Sequence, residues 1–549
     1  MKRIKNIIAI LTLGLLVMVS CHDLEDLNVN PNGVDPGSVD PNLLLPTVIT
    51  DLSKNMVSLG FGNIAGVMQH TQKDGWSSGH NNYDWDNNSD SWKGYYDILR
   101  TNKAMYERAV ESDFEFHQGA ALVLRAYTFG IITDLWGDAP YTAALKANLG
   151  EEFIKPIFDD QATIYNGILA DLEMANEVLS KEAYVGVDSK QDVLYAGDAS
   201  KWRKFANSLA LRYYMRLSAK DPSLAQAGIN KITSNPSKYP LVLSASDDAN
   251  VAYAGATPSD SWPTNTVFDE DPSGAYMRIK MCNTLVVELQ QLSDPRLGVW
   301  ANKITTPLLL DSNASPGTDE IVDGKRRISQ DVVDDYFNSW NASLNYDEEY
   351  VGIPPGFSGA PSYNLNPDLA QGVFNPHVSQ LNDIYKETSG ELLLARLISA
   401  AEVHFILAEA ASMGWGSGTA EMHYREGVKQ SFNAWGVEDD YENYIAGAPM
   451  NGLEDIIKQK WIASWSAATE AWFDYRRTGL PALMAGEAAK RQALPLRFYY
   501  NFDDEISINT ENSDAAILKL EPTEFKGSDI SNNSAWSKMW LLQGTNKPY

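Results

Sequence analysis

The chain has 549 residues, with 44 Lys and Arg against 72 Asp and Glu, and its formal charge of −28 repels phosphate backbones and sets nucleic acid aside as a partner. Two cysteines in a chain this long cannot build a disulfide framework, so stability must come from burial, for which the length is ample. With 15 Trp and 26 Tyr, aromatic residues exceed what a plain helical core uses, and some are expected to face solvent for a purpose.

At the start, Lys2, Arg3 and Lys5 precede the apolar run of residues 7–19, and Ser20 stands directly before Cys21. That order reads as a lipoprotein export signal over residues 1–20, cleaved before an acylated Cys21. The apolar run is shorter than the roughly 20 residues that span a bilayer, so the membrane contact expected is an N-terminal lipid anchor. Loss of the three cations takes the charge from −28 to −31, and Cys282 is then the one free thiol. Residues 21–42, rich in Asp, Asn, Pro and Gly, read as a flexible tether, with one folded domain over residues 43–549.

Helical periods follow. In residues 118–136, Leu124, Thr128, Ile131 and Leu135 share a face, and Gly137 with Pro140 supplies a stop. In residues 201–218, Trp202, Phe205, Leu209 and Tyr213 make a stripe, with Arg203, Lys204 and Arg212 off it. Leu394, Ile398, Ala401, Phe405 and Ala408 make a third, closed by Gly414 and Gly416. A fourth takes in Ile457, Trp461, Trp465, Ala468, Trp472 and Tyr475 and ends at Gly479 and Pro481, which marks its tryptophans as core. Residues 235–391 have no sustained helical period except around 274–292, and their many aromatics suggest an ordered, loop-rich insertion. The expected fold is all-α: tetratricopeptide-like helix pairs over residues 43–234 and 392–549, with the insertion between them.

Several phrases along the chain carry a family likeness. They are Asp26-Leu27-Asn28-Val29-Asn30-Pro31-Asn32, Arg125-Ala126-Tyr127 with Trp136-Gly137-Asp138-Ala139-Pro140-Tyr141, and Ala401-Glu402-Val403 with Ala408-Glu409-Ala410. To these add the run from Glu470-Ala471-Trp472-Phe473-Asp474-Tyr475 through Arg476-Arg477-Thr478-Gly479-Leu480-Pro481, and Leu494-Pro495-Leu496-Arg497 ahead of Tyr500 and Asn501. In this order they resemble the SusD/RagB family over nearly the whole chain after Cys21. The resemblance implies an outer-membrane lipoprotein of Bacteroidota that faces the exterior and captures nutrients, mostly glycans, for a SusC-like TonB-dependent transporter. Many relatives carry Arg three residues before the Glu of Ala-Glu-Val. Here that place is Ser399, with Arg396 one turn earlier, as in a divergent SusD-like subgroup.

A glycan binder needs flat aromatic faces for the C–H side of a sugar, with polar groups nearby for its hydroxyls. Trp76, Tyr83 and Trp85, set among Ser77, Ser78, Asn81, Asn82, Asp84 and Asp86, meet that demand. The competing reading is that these rings pin the loop to the scaffold. Trp262 beside Pro263, and Trp340 between Asn338 and Asn341, are further candidates, while Trp92, Tyr95 and Tyr96 start a helix and read as core. No His-Glu-x-x-His run occurs, and seven His offer no metal cluster. The run Asp84, Asp86, Asn88, Asp90 lacks the Gly and the closing Glu of a calcium loop, with Ser89 and Tyr95 in their places. The expectation is therefore a non-enzymatic binding protein without cofactor or metal. The alternatives are a peptide ligand and, behind it, a surface glycoside hydrolase, which would need a carboxylate pair across a sugar bond.

Overall fold

The first helix is fixed locally, by its cap. In this computed structural model, which describes residues 39–271, 274–502 and 507–549, α1 (Pro41–Gly60) starts where the Asp40 carboxylate accepts the Asn42 N–H at 2.9 Å. Pro41 takes a first-turn position whose N–H would be unpaired anyway. The signal, Cys21 and the tether up to residue 38 lie outside the described residues.

α2 (Lys93–Glu111) and α3 (Glu115–Trp136) form a hairpin, followed by α4 (Gln161–Val178), α5 (Ala199–Arg216) and α6 (Pro222–Thr233). The second half supplies α7 (Ala400–Ser412), α8 (Ala420–Trp435), α9 (Leu453–Ala463) and α10 (Ala468–Thr478). Each helix from α1 to α6 packs on the next, α7 packs on α8 and α9, and α5 meets α7 to join the halves. This is a tetratricopeptide-like helical scaffold. α3 is its centre: only Glu115, Gln118 and Arg125 of its residues escape burial, because neighbours cover it on nearly every side. It stops at Gly137, whose φ of 99° favours glycine.

Strands are short. β1 (Thr71–Lys73), β2 (Ala249–Ala252), β3 (Ile279–Met281), β4 (Leu308–Leu310), β5 (Asp319–Val322), β6 (Lys325–Ile328) and β7 (Leu394–Ile398) form small pairings. β1 pairs antiparallel with β3 and β2 with β7, while β6 lies between parallel β4 and antiparallel β5.

Three sequence expectations are corrected. Leu394 and Ile398 belong to a strand, and the helix begins only at Ala400 after the Ser399 cap; spacings of four and three suit a helix, but pairing with Ala249–Ala252 decides the segment. The stripe from Ile457 to Tyr475 is two helices, broken where Ser466 takes a φ of 65° and Trp465 turns inward to donate to Tyr385 Oη at 2.7 Å. Residues 274–292 hold a four-residue helix (Ala275–Arg278), β3 and a helix (Asn283–Gln291), and the insertion also contains a helix over Gln330–Trp340.

Arg212, read as off the apolar stripe, is buried. Its guanidinium grips both oxygens of Glu402 at 2.7 Å and the Leu397 carbonyl at 2.7 Å. Arg216 reaches Glu470 at 2.5 Å, Lys460 reaches Asp474 at 2.7 Å, and Arg477 bridges Glu409 and Asp474. The acids of the family phrases thus meet cations across helices, and each carboxylate is neutralised where water is excluded. Burial would raise the Asp474 carboxyl, yet Lys460 and Arg477 overcome it and hold the group at about 2. Arg396 does not enter this network. It donates to the Leu392 and Leu394 carbonyls and stacks over Trp435 at 4.0 Å.

Candidate ligand-binding site

The loop between β1 and α2 is closed by Asn81, which accepts the Lys73 N–H at 2.9 Å and donates to the Lys73 carbonyl at 2.7 Å. This clamp divides the aromatic residues between two environments. Tyr83 and Trp85 turn inward and are buried. Trp85 meets Phe498 at 5.1 Å and Trp472 at 5.9 Å, edge to face, and its indole N–H donates to the Gly79 carbonyl at 2.7 Å. Trp76 turns outward and is 77% exposed.

Trp262, like Tyr83 and Trp85, is a core residue and not an open platform: its ring packs among Phe61, Tyr253 and Tyr385, with no face left for a ligand. Trp340 is half-buried. It lies over Gly359, where a Cβ would meet the ring at 2.4 Å, and beside Phe357 at 6.2 Å, so it pins the loop that follows. For these four rings the pinning reading fits the geometry. They resemble loop aromatics in sequence because polar neighbours face solvent while the rings face in.

Trp76 is mounted, not loose. Its φ of 49° is unusual for a bulky residue and directs the ring away from the body. The Arg278 guanidinium lies over the ring, 3.9 Å from its centroid, and the Arg278 carbonyl accepts the Asp74 N–H at 3.1 Å. Gly75 lets residue 371 approach, since a Cβ there would stand 2.7 Å from Gln371 Cβ. Asp74 in turn accepts the Gly372 N–H at 3.1 Å, which ties the exposed Leu369 and half-exposed Phe374 to the Trp76 segment.

Phe374 also lines a cavity of about 380 Å³ with Tyr276, Met277, Asn302, Gln380 and Asp383. Met277 and Arg278 are neighbours on one short helix, so cavity and Trp76 share a mount. Tyr276 donates to the Leu381 carbonyl at 2.7 Å, and Asn302 donates to Asp383 at 2.8 Å. Hydrogen bonding to Lys386 keeps the Asp383 carboxyl below its usual range. Sequence reading missed Arg278, Lys73 and Phe374, which come from three distant stretches and share no local signal.

Among the described residues, no group of three or more His, Cys, Asp or Glu is arranged to hold a metal ion, and no helix is long and apolar enough to cross a membrane. In the Asp84 to Asp90 run, Asp86 spends one oxygen on Asn88 N–H and the Ser89 hydroxyl, and burial with the nearby Asp86 pushes the Asp90 carboxyl up to about 7.

The family model described as SusD-like, "Starch-binding associating with outer membrane", matches residues 34–501. The chain belongs to the SusD-like family. That family is described as starch-binding and associated with the outer membrane. Solved structures agree in fold. A SusD homologue from Bacteroides fragilis is 22% identical, with 92% of this chain and 99% of that one covered and a TM-score of 0.66. A chitin-binding protein is 21% identical, with 93% and 100% covered and a TM-score of 0.70. A chitin-binding SusD homologue from Flavobacterium johnsoniae is 20% identical, with 91% and 99% covered and a TM-score of 0.63. No curated protein matches the chain by sequence. In SusD-like terms, the Glu402 of the Ala-Glu-Val phrase finds its arginine in α5, at Arg212, and Ser399 serves as the helix cap.

Proposed function

We propose that this SusD-like protein captures glycans at the cell exterior, held to the outer membrane by acyl chains on Cys21, and passes them to a SusC-like TonB-dependent transporter. The single observation that carries the reading is Trp76, a fully mounted indole with an open face beside a cavity that combines aromatic walls with amide and carboxylate groups. Such a face takes the C–H side of a pyranose while Asn302 and Asp383 meet its hydroxyls. The conspicuous interior carboxylates, Glu402, Glu409 and Glu470, are engaged by arginines, which supports binding without turnover. A ligand that bridges this face and the transporter favours the closed pair by its contacts in that state.

The test is isothermal titration of the purified protein against polysaccharides and their oligosaccharides, with Trp76→Ala alongside. Binding that Trp76→Ala abolishes, with the melting curve unchanged and no products formed, is the expected result. Binding of peptides alone moves the ligand class, and product formation overturns the non-catalytic reading.

A further inference from the structure

A second cavity, of about 250 Å³, lies where the end of α1, the loop before α2 and the first turn of α2 meet, and Trp76 does not line it. Asn55, Asn63, Asp90 and Tyr95 line it, beside Trp136 and Phe498. Neither amide side chain, nor the Asp90 carboxylate, nor the Tyr95 hydroxyl has a hydrogen-bond or ion-pair partner among the described residues. Polar groups withdrawn from solvent are normally paired, so four unpaired ones around one cavity point to a ligand.

Asp90 sets the sign of that ligand. Interior acids elsewhere are answered by a cation, as Arg296 answers Asp294 at 2.5 Å, or by N–H donors, as Gly197 and Trp202 answer Asp192 at 2.8 Å. Among the described residues no Lys, Arg or His lines this cavity, and Lys93, the nearest cation along the chain, is spent on Asp97 at 2.8 Å. Burial, and then Asp86, push the Asp90 carboxyl up, while burial, and then Asp90, push the Tyr95 phenol up. The second effect sets the carboxylate close to the phenol at the cavity wall. A cationic ligand gains there an ion pair that the protein itself does not supply. Size and the remaining groups choose among cations. The volume falls below the range of about 300–1,000 Å³ for drug-sized ligands and suits one small ring. Each amide offers donors and an acceptor for hydroxyls, and Trp136 and Phe498 add an apolar wall for ring C–H groups.

We infer that this cavity binds a sugar that carries a free amino group, its ammonium on the Asp90 carboxylate and its hydroxyls on the Asn55 and Asn63 amides. The inference rests on the glycan reading of the protein, through a site separate from Trp76. Gly94 stands at the rim: it is exposed, and a Cβ there would come 3.4 Å from Asn55 Nδ2, so a larger side chain closes on the cavity without removing any of its polar groups.

The experiment is calorimetry of the whole protein at neutral pH with chitosan, chitin and cellulose oligomers of one length, which share a backbone and differ in carrying an amine, an acetamide or a hydroxyl at one ring carbon. Wild type, Asp90→Asn and Gly94→Leu are compared. The amine form binding about tenfold or more tighter than the other two is the expected result, from a charge-assisted pair. That preference should vanish in Asp90→Asn and in Gly94→Leu, with melting curves confirming the fold. Equal binding of the three oligomers, or a preference that survives both variants, overturns the inference. In that case Trp76-dependent binding of neutral glycans leaves the glycan reading standing. Binding of a lysine peptide through Asp90, with no amino sugar bound, overturns the inference as well. If no glycan of any kind binds the wild type, the glycan reading falls with it.

Discussion

Trp76→Ala and Trp85→Ala separate the two roles that one aromatic loop combines. Trp85 is wholly buried against Trp472 and Phe498, and its N–H holds the Gly79 carbonyl. A tryptophan side chain buries roughly 200 Å², which at about 25 cal/mol per Å² is about 5 kcal/mol, and large-to-small core changes at aromatic sites cost about 3–5 kcal/mol. The lost hydrogen bond adds about 1 kcal/mol. Trp85→Ala is therefore expected to lower the unfolding free energy by about 4–6 kcal/mol. Trp76→Ala removes one stack on Arg278, about 0.5–1 kcal/mol, and leaves the Cβ and its φ unchanged, so its net change should stay below about 1 kcal/mol. Urea unfolding followed by tryptophan fluorescence reads the stabilities, and calorimetry with a glycan panel reads the binding. Trp76→Ala should lose binding and keep its stability; Trp85→Ala should lose stability first. A Trp85→Ala protein of wild-type stability that no longer binds would refute the assignment of Trp85 to the core, and an equally unstable Trp76→Ala would refute the mount.

Arg212→Met should cost about 3–5 kcal/mol in urea unfolding, because it strands Glu402 and the Leu397 carbonyl; the double variant Arg212→Met/Glu402→Met should recover most of it, and an additive double loss would sink the reasoning. Gly130→Ala on α3 would place a Cβ 1.9 Å from Tyr213 Oη, and about 1–3 kcal/mol of lost stability is expected, with Tyr213→Phe relieving part of it. Asp474 is held at about 2 against an ordinary 3.8, so its contribution is complete above 3.8 and drains as pH falls through that window. A loss of about 2 kcal/mol in acid, absent from Asp474→Asn after correction for its own destabilisation, is expected from unfolding curves taken across the acid range.

Which parts of this were legible in the chain follows from range. The all-helical class, the core roles of Trp461, Trp465 and Trp472, and the helix over residues 118–136 rest on local period and stops, which neighbours a few residues apart encode. The family phrases likewise mark a scaffold: their acids Glu402, Glu409, Glu470 and Asp474 are neutralised in the interior by Arg212, Arg216 and Arg477. What the sequence could not decide is which residues meet across long separations. Leu394 to Ile398 became a strand because residues 249–252 lie beside it. Trp76 and Trp85, nine positions apart in equally polar surroundings, received opposite fates because Asn81 clamps the loop between them and only one ring finds Phe498 and Trp472. The charge beside Trp76 arrives from residue 278 through the pairing of β1 with β3, a contact that hydrophobic period does not record. Local pattern fixes what an element is; burial and partnership, which set the chemistry of a side chain, are properties of the packed whole.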